Sequence, residues 1–263
     1  MEKKGQFTLF LIVGVVIVVM VVLIVFLRSD IIKSVREVQK KVTLPPEVQE
    51  IERYVDSCVE SSTRNALFIT ALQGGYYEAP QNSLEYNYEE LKLSSFIPYY
   101  LIDNQKTVPT KEEISKELSR GVEAELKECI NFSTFEQDIA YSWGELSTES
   151  ELGKESVGIE VKLPLKIKMG DSEFMINDFK SNVKTEYLSF YNTALELTEE
   201  QEKHPRSMCI TCIPVIAENN NVNISTTEMM EGSSYIIIYY MTKGIEEPAK
   251  VYSFAHKFSL EQT

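Results

Sequence analysis

The chain has 263 residues, of which 43% are hydrophobic and 25% charged, with 40 acidic side chains against 26 basic ones and a formal net charge of −14. Seven of the basic and three of the acidic residues precede residue 44, so residues 44–263 carry 19 against 37. That body has room for one domain or two closely packed lobes, and its negative field argues against nucleic acid as a partner.

The acidic body follows an N-terminus of opposite character. From Gly5 to Leu27 no residue is charged, and Val, Ile, Leu and Phe dominate. Twenty-three residues at about 1.5 Å rise span a hydrocarbon core of about 30 Å. A secretory signal has a shorter apolar region and a small-x-small cleavage site. Leu27 is followed instead by Arg28-Ser29-Asp30 and an amphipathic run with Ile31, Ile32, Val35, Val38 and Val42. The expectation is a retained single span in a lipid membrane, a juxtamembrane segment over 28–45 and a soluble body over 46–263.

Orientation is read from two opposed signals. Arg28, Lys33, Arg36, Lys40 and Lys41 outnumber Lys3 and Lys4, which by charge alone favours a cytoplasmic body. Four cysteines (Cys58, Cys129, Cys209, Cys212) allow two disulfides in three connectivities, and Asn131-Phe132-Ser133 and Asn223-Ile224-Ser225 are glycosylation sequons. Both features belong to an extracellular body.

Lys3-Lys4-Gly5-Gln6, set directly before the apolar stretch, resembles the class III signal of archaeal type IV pilins and archaellins. The resemblance covers about the first 27 residues. It implies cleavage after Gly5, Gln6 as the new N-terminus, and an apolar helix that packs with others like it. The family's usual Glu at mature position five falls on Phe10 here, which fits a pilin-like anchored protein better than a major filament subunit. The body, with Cys58, Gln73-Gly74-Gly75-Tyr76 and Tyr252-Ser253-Phe254-Ala255, is similar to a group of uncharacterised single-span proteins of small-genome archaea. That likeness implies no activity.

Within the body, Pro45-Pro46 open a helix. Val48, Ile51, Val55, Cys58 and Val59 recur at helical spacing, and Gly74-Gly75 close it. A connector then carries Tyr76, Tyr77, Tyr86, Tyr88, Tyr99 and Tyr100. These rings either pack on the helices or offer a contact surface to a surface protein or glycan. Thr110 and Glu113 form a capping box for a second helix with Ile114, Leu118, Val122, Leu126 and Cys129 on one stripe. A Cys58–Cys129 staple is attractive; pairing of each with Cys209 or Cys212 is its rival.

Beyond Gly153 the period changes from helical to two. Val157 to Met169 alternate with polar residues as a long strand, which Pro164 marks as an edge or bulged one. Gly170-Asp171 turns the chain into a hairpin, residues 184–203 read as helix, and 209–216 or 221–227, 234–242 and 250–259 read as strands. The fold class is α+β: an N-terminal transmembrane helix, then two long amphipathic helices packed on a mainly antiparallel sheet. The helical part is 46–131 and the mainly β part 155–263.

The chemical signals are few. Cys209-Ile210-Thr211-Cys212 suits thiol–disulfide exchange, but its Met and Ile neighbours read as strand, or as an irregular segment leading to a buried one, which favours a structural bond. Zinc would need His204 or His256 and one earlier cysteine with Cys209 and Cys212 to complete a tetrahedral set, and neither histidine has ligand spacing. Hydrolase, phosphate-loop and dinucleotide motifs are absent from the sequence, so neither catalytic residues nor a cofactor or metal is nominated. The sequence is read as a cell-membrane, single-pass, pilin-like surface protein with a structural, adhesion or recognition role. The alternative is an envelope thiol-disulfide oxidoreductase using Cys209 and Cys212.

Overall fold

The structure is a computed structural model, and it describes residues 44–88, 93–135, 139–204, 208–243 and 251–259. The apolar stretch, Gly5 and Gln6 lie outside the described residues. Among the described residues no helix is long and apolar enough to cross a membrane. Glu50–Thr263 forms one compact unit, and the unit before it, Met1–Gln49, contributes only its last six residues to the description.

Helix α1 runs Pro46–Leu72. Its stripe of Ile51, Val55, Cys58, Val59, Ala66 and Leu67 is buried. At its end Gly74 and Gly75 take φ of +52° and +92°, so that the Gly75 N–H donates to Thr70 O at 2.7 Å and closes the last turn. The second helix, α2 (Lys111–Cys129), begins with the expected box: Thr110 Oγ1 accepts from Glu113 N–H, and the Glu113 carboxylate accepts from Thr110 N–H. Ile114, Leu118, Val122 and Leu126 are fully buried, and each such side chain contributes about 1.5–3 kcal/mol. Gly121 on α2 lets the backbone come close: a Cβ there would sit 2.7 Å from the Tyr77 ring and 3.1 Å from Ala66 Cβ.

The Tyr-rich connector, to which the sequence pattern assigns no secondary structure, supplies strands β1 (Ser83–Tyr88), β2 (Leu93–Ile102) and the short β3 (Gln105–Lys106). They enter a sheet of order β1-β2-β10-β9-β8, with β8 at Asn223–Glu231, β9 at Ser234–Thr242 and β10 at Val251–Ser259. The β2–β10 pairing is parallel; the other pairings are antiparallel. Two intervening strands would hold β1 and β9 about 14 Å apart in a flat sheet. The Tyr86 and Tyr240 rings nevertheless meet at 6.3 Å, so the sheet is curled. Inside the curl Leu84, Ile97, Tyr99, Ile236, Ile238 and Ala255 form one core. The other face of β10 carries Tyr252, Phe254 and His256, of which Tyr252 and His256 meet helix α3 (Tyr187–Glu202).

A second sheet is built around β6 (Ser156–Met169). Strand β7 (Ser172–Lys184) pairs along one of its edges, while β4 (Ile139–Trp143) and β5 (Ser147–Leu152) share the other. The sequence pattern left β4 and β5 unassigned because β4 is short and almost wholly exposed while β5 is mostly polar, so neither shows a run of buried alternation. Between the edge or bulged readings of Pro164, the bulge is observed: β6 is central, and its register against β7 shifts between Lys162 and Leu165. The missing N–H of Pro164 falls where the ladder is already interrupted. The chain is therefore α+β with mainly antiparallel sheet.

One strand expectation needs correction. Residues 209–216 do not form a strand; Cys212–Asn220 is helix α4, ending at Asn221 with φ of +52°. Met208, Ile210 and Val215 suggested strand by composition, yet Ile210 and Val215 are exposed and sit in no sheet. The strand is the other candidate, shifted to 223–231.

Candidate functional site

The four cysteines form two bonds, Cys58–Cys129 and Cys209–Cys212. In the first, α1 and α2 bring the Cα atoms to 5.7 Å, and Cys58 is buried. Tyr54 reinforces that junction from α1: its hydroxyl donates to Cys129 O at 2.9 Å and accepts from Asn131 N–H at 2.8 Å. The second bond lies at the start of α4. There the Cys209 N–H donates to the buried Gln201 side chain at 2.9 Å, which in turn donates to His204 O.

The connector tyrosines divide between core and rim. Tyr99 and Tyr100 are buried, and Tyr76, Tyr77 and Tyr86 are half-buried. Burial, with the Glu231 charge added, pushes the Tyr99 phenol up to about 12; burial with Glu113 and Glu117 does the same at Tyr76. The turn after Gly75 is held by one carboxylate, Glu117, whose Oε2 accepts from the N–H of both Tyr77 and Glu78 at 3.0 and 3.1 Å. The described rings of the connector are therefore structural first.

The exposed aromatic surface lies elsewhere. Tyr141 and Trp143, two residues apart on β4, are 42% and 46% exposed. They adjoin the buried Phe132 at 4.5 and 5.6 Å between ring centroids, and Phe135 and Tyr54 extend the group. Sequence reasoning passed over this patch. The available signal was Trp143, the one tryptophan in the chain, two residues after a tyrosine. Asn131 is exposed beside the same group, its Oδ1 accepting from Ser133 N–H at 3.0 Å; Asn223 is exposed at the start of β8. Both sequons are thus sterically open.

A cleft of about 790 Å³ lies at the start of α3, lined among others by Lys154, Lys184, Lys243, Glu155 and Glu186. Lys243 pairs with Glu186 at 3.0 Å. Three ammonium groups against two carboxylates make it locally cationic in an acidic body, a setting that suits a small anion. Among the described residues it brings no cysteine, histidine or tyrosine to the lysines.

Neither histidine joins a metal set, and no cluster of metal-ligating side chains occurs among the described residues. His256 is fully buried. Its Nε2 faces Thr198 Oγ1 at 3.1 Å, and the Thr198 hydroxyl already donates to Ala194 O, so Nε2 carries the proton. His204 lies exposed, 3.8 Å from Glu200. Compared with known proteins, the chain matches no family model, no curated protein and no solved structure.

Proposed function

We propose that this chain is a membrane-anchored, pilin-like surface protein whose body attaches to or recognises another surface and performs no catalysis. The observation that carries the reading is the use of all four cysteines in two bonds within a body that follows a 23-residue uncharged stretch. Bonds of this kind persist where the compartment is oxidising. Phe7–Leu27 hold the lipid membrane and pack with copies of themselves. Cleavage falls between Gly5 and Gln6, and Asn131 and Asn223 carry glycans.

The Tyr141–Trp143 pair supports attachment. Large flat rings, half exposed and backed by a buried third ring, can stack on sugar faces or fill a protein interface at little entropic cost. The partner is a surface protein or glycan. Protease added to intact cells tests the reading: the body should be cut without lysis, and full protection contradicts it.

An envelope thiol-disulfide oxidoreductase is the second reading, supported by one observation: the Cys209–Cys212 pair leads into a helix instead of lying in a strand. Insulin reduction by the wild-type chain, lost in Cys209→Ser, would favour it over the first.

A further inference from the structure

The two disulfides sit in opposite settings. Cys58–Cys129 joins residues 71 apart in sequence and ties two helices together, with Cys58 buried. Cys209–Cys212 joins residues three apart, and both are half-buried. Closing the longer loop removes much more freedom from the unfolded chain. The first bond holds the fold, whereas the second holds only its own turn. Around the second, Ile210 and Val215 are 68% and 57% exposed, and Thr211 and Pro214 are exposed beside them.

We propose that the Cys209–Cys212 disulfide is an exchangeable attachment point, which takes a cysteine thiol of a partner polypeptide into a mixed disulfide. Chain position supplies the chemistry. Cys212 is the first residue of α4, a nine-residue helix with no acidic residue in its first turn and no side-chain cap. A thiolate there faces the positive end of the helix, and a stabilised thiolate is the better leaving group. Cys209 precedes the helix and is the sulfur attacked.

In the step, the partner thiolate's electron pair forms a new S–S bond to Cys209 Sγ. The Cys209–Cys212 bond breaks, and its electron pair leaves on Cys212 Sγ. The partner's thiol proton goes to water. One disulfide replaces another, so no oxidant is consumed, and attack of Cys212 on the mixed disulfide reverses the capture. Exposed Ile210 and Val215 favour a partner cysteine with apolar neighbours.

This inference rests on the surface reading for its oxidising setting, while its chemistry can be read on the purified chain. The oxidised full chain in detergent is titrated with reduced glutathione, quenched with acid and alkylated, and each cysteine is mapped by peptide mass spectrometry. Cys209 and Cys212 are expected to open at a glutathione concentration at least about tenfold below that for Cys58 and Cys129, with the adduct on Cys209. In the Cys209→Ser chain, alkylation of Cys212 should show a pH midpoint below the ordinary thiol value of about 8.5. A Cys209–Cys212 bond that stays closed until Cys58–Cys129 opens, an adduct confined to Cys212, or a midpoint at or above that value overturns the proposal. Protease accessibility on intact cells, read separately, decides the surface reading.

Discussion

The hydroxyls of Tyr100 and Tyr252 meet at 2.7 Å in the core, on residues 152 apart in sequence. Tyr100 also donates to Gly74 O at 2.9 Å, which makes Tyr252 the donor within the pair. One chain of hydrogen bonds therefore ties the end of α1 to β2 and β10. Burial raises both phenols well above their ordinary value, so the chain stays neutral across the physiological range.

The direction of that chain gives an ordered expectation. Tyr252→Phe leaves Tyr100 bonded to Gly74 O and should cost about 1 kcal/mol. Tyr100→Phe strands both the buried Gly74 carbonyl and the Tyr252 hydroxyl, so about 1–3 kcal/mol is expected. Urea unfolding of the two variants checks the order, and the reverse order would show the donor assignment to be wrong.

His256 predicts an acid sensitivity. Burial lowers its folded value to about 3 from an ordinary 6.5, with Thr198 and the Tyr239 ring facing it. Below about 6.5 the unfolded state takes up the proton and the folded state does not, so this contribution to stability is lost as pH falls. The slope from this one group is up to about 1.4 kcal/mol per pH unit between those values. His256→Gln should flatten the stability profile between pH 4 and 6.5, measured by denaturant titration. An unchanged slope would place the acid sensitivity elsewhere.

Gly74 combines two demands that Gly170 separates. At Gly74, φ is +52° and an added Cβ would lie 2.6 Å from both Pro98 Cγ and Ser253 O; at Gly170, φ is +57° but the space is open. Gly170→Ala should cost about 1 kcal/mol in backbone strain alone. Gly74→Ala adds overpacking and should cost about 2–4 kcal/mol. Thermal melts of the pair separate the two terms, and equal losses would mean the Pro98 contact yields freely.

The disulfides should differ in what their removal costs. Replacing Cys58 and Cys129 by Ser opens a long loop and is expected to cost about 4 kcal/mol, against about 2 or less for Cys209 and Cys212. Chemical unfolding of the two double variants gives the comparison. A larger loss at the shorter loop would make Cys209–Cys212 the structural bond.

Where one physical signal dominated, the residues themselves gave the outcome. The capping box at Thr110 and Glu113, the stripe of Ile114, Leu118, Val122 and Leu126, the glycine stop after α1 and the turn at Gly170 were legible because each has a short-range cause. The Cys58–Cys129 pairing was one of several open choices, since helix periodicity places each cysteine on a stripe without saying which stripes meet. Strands β1 and β2 hid in the connector because their tyrosines satisfy the partners of a curled sheet, which only long-range pairing reveals. At residues 209–216 composition misled: Ile210 and Val215 are apolar yet exposed. The Tyr141–Trp143 patch escaped for the complementary reason, because an exposed strand of five residues has almost no buried alternation to detect.

The measurement to make is intact-protein mass spectrometry of chain extracted from native membranes, with thiols alkylated before and after reduction. A surface protein of the proposed kind should lack residues 1–5, resist alkylation before reduction and gain four adducts after it. An unprocessed chain with four thiols free at the outset would contradict the pilin-like anchor and the oxidising compartment together.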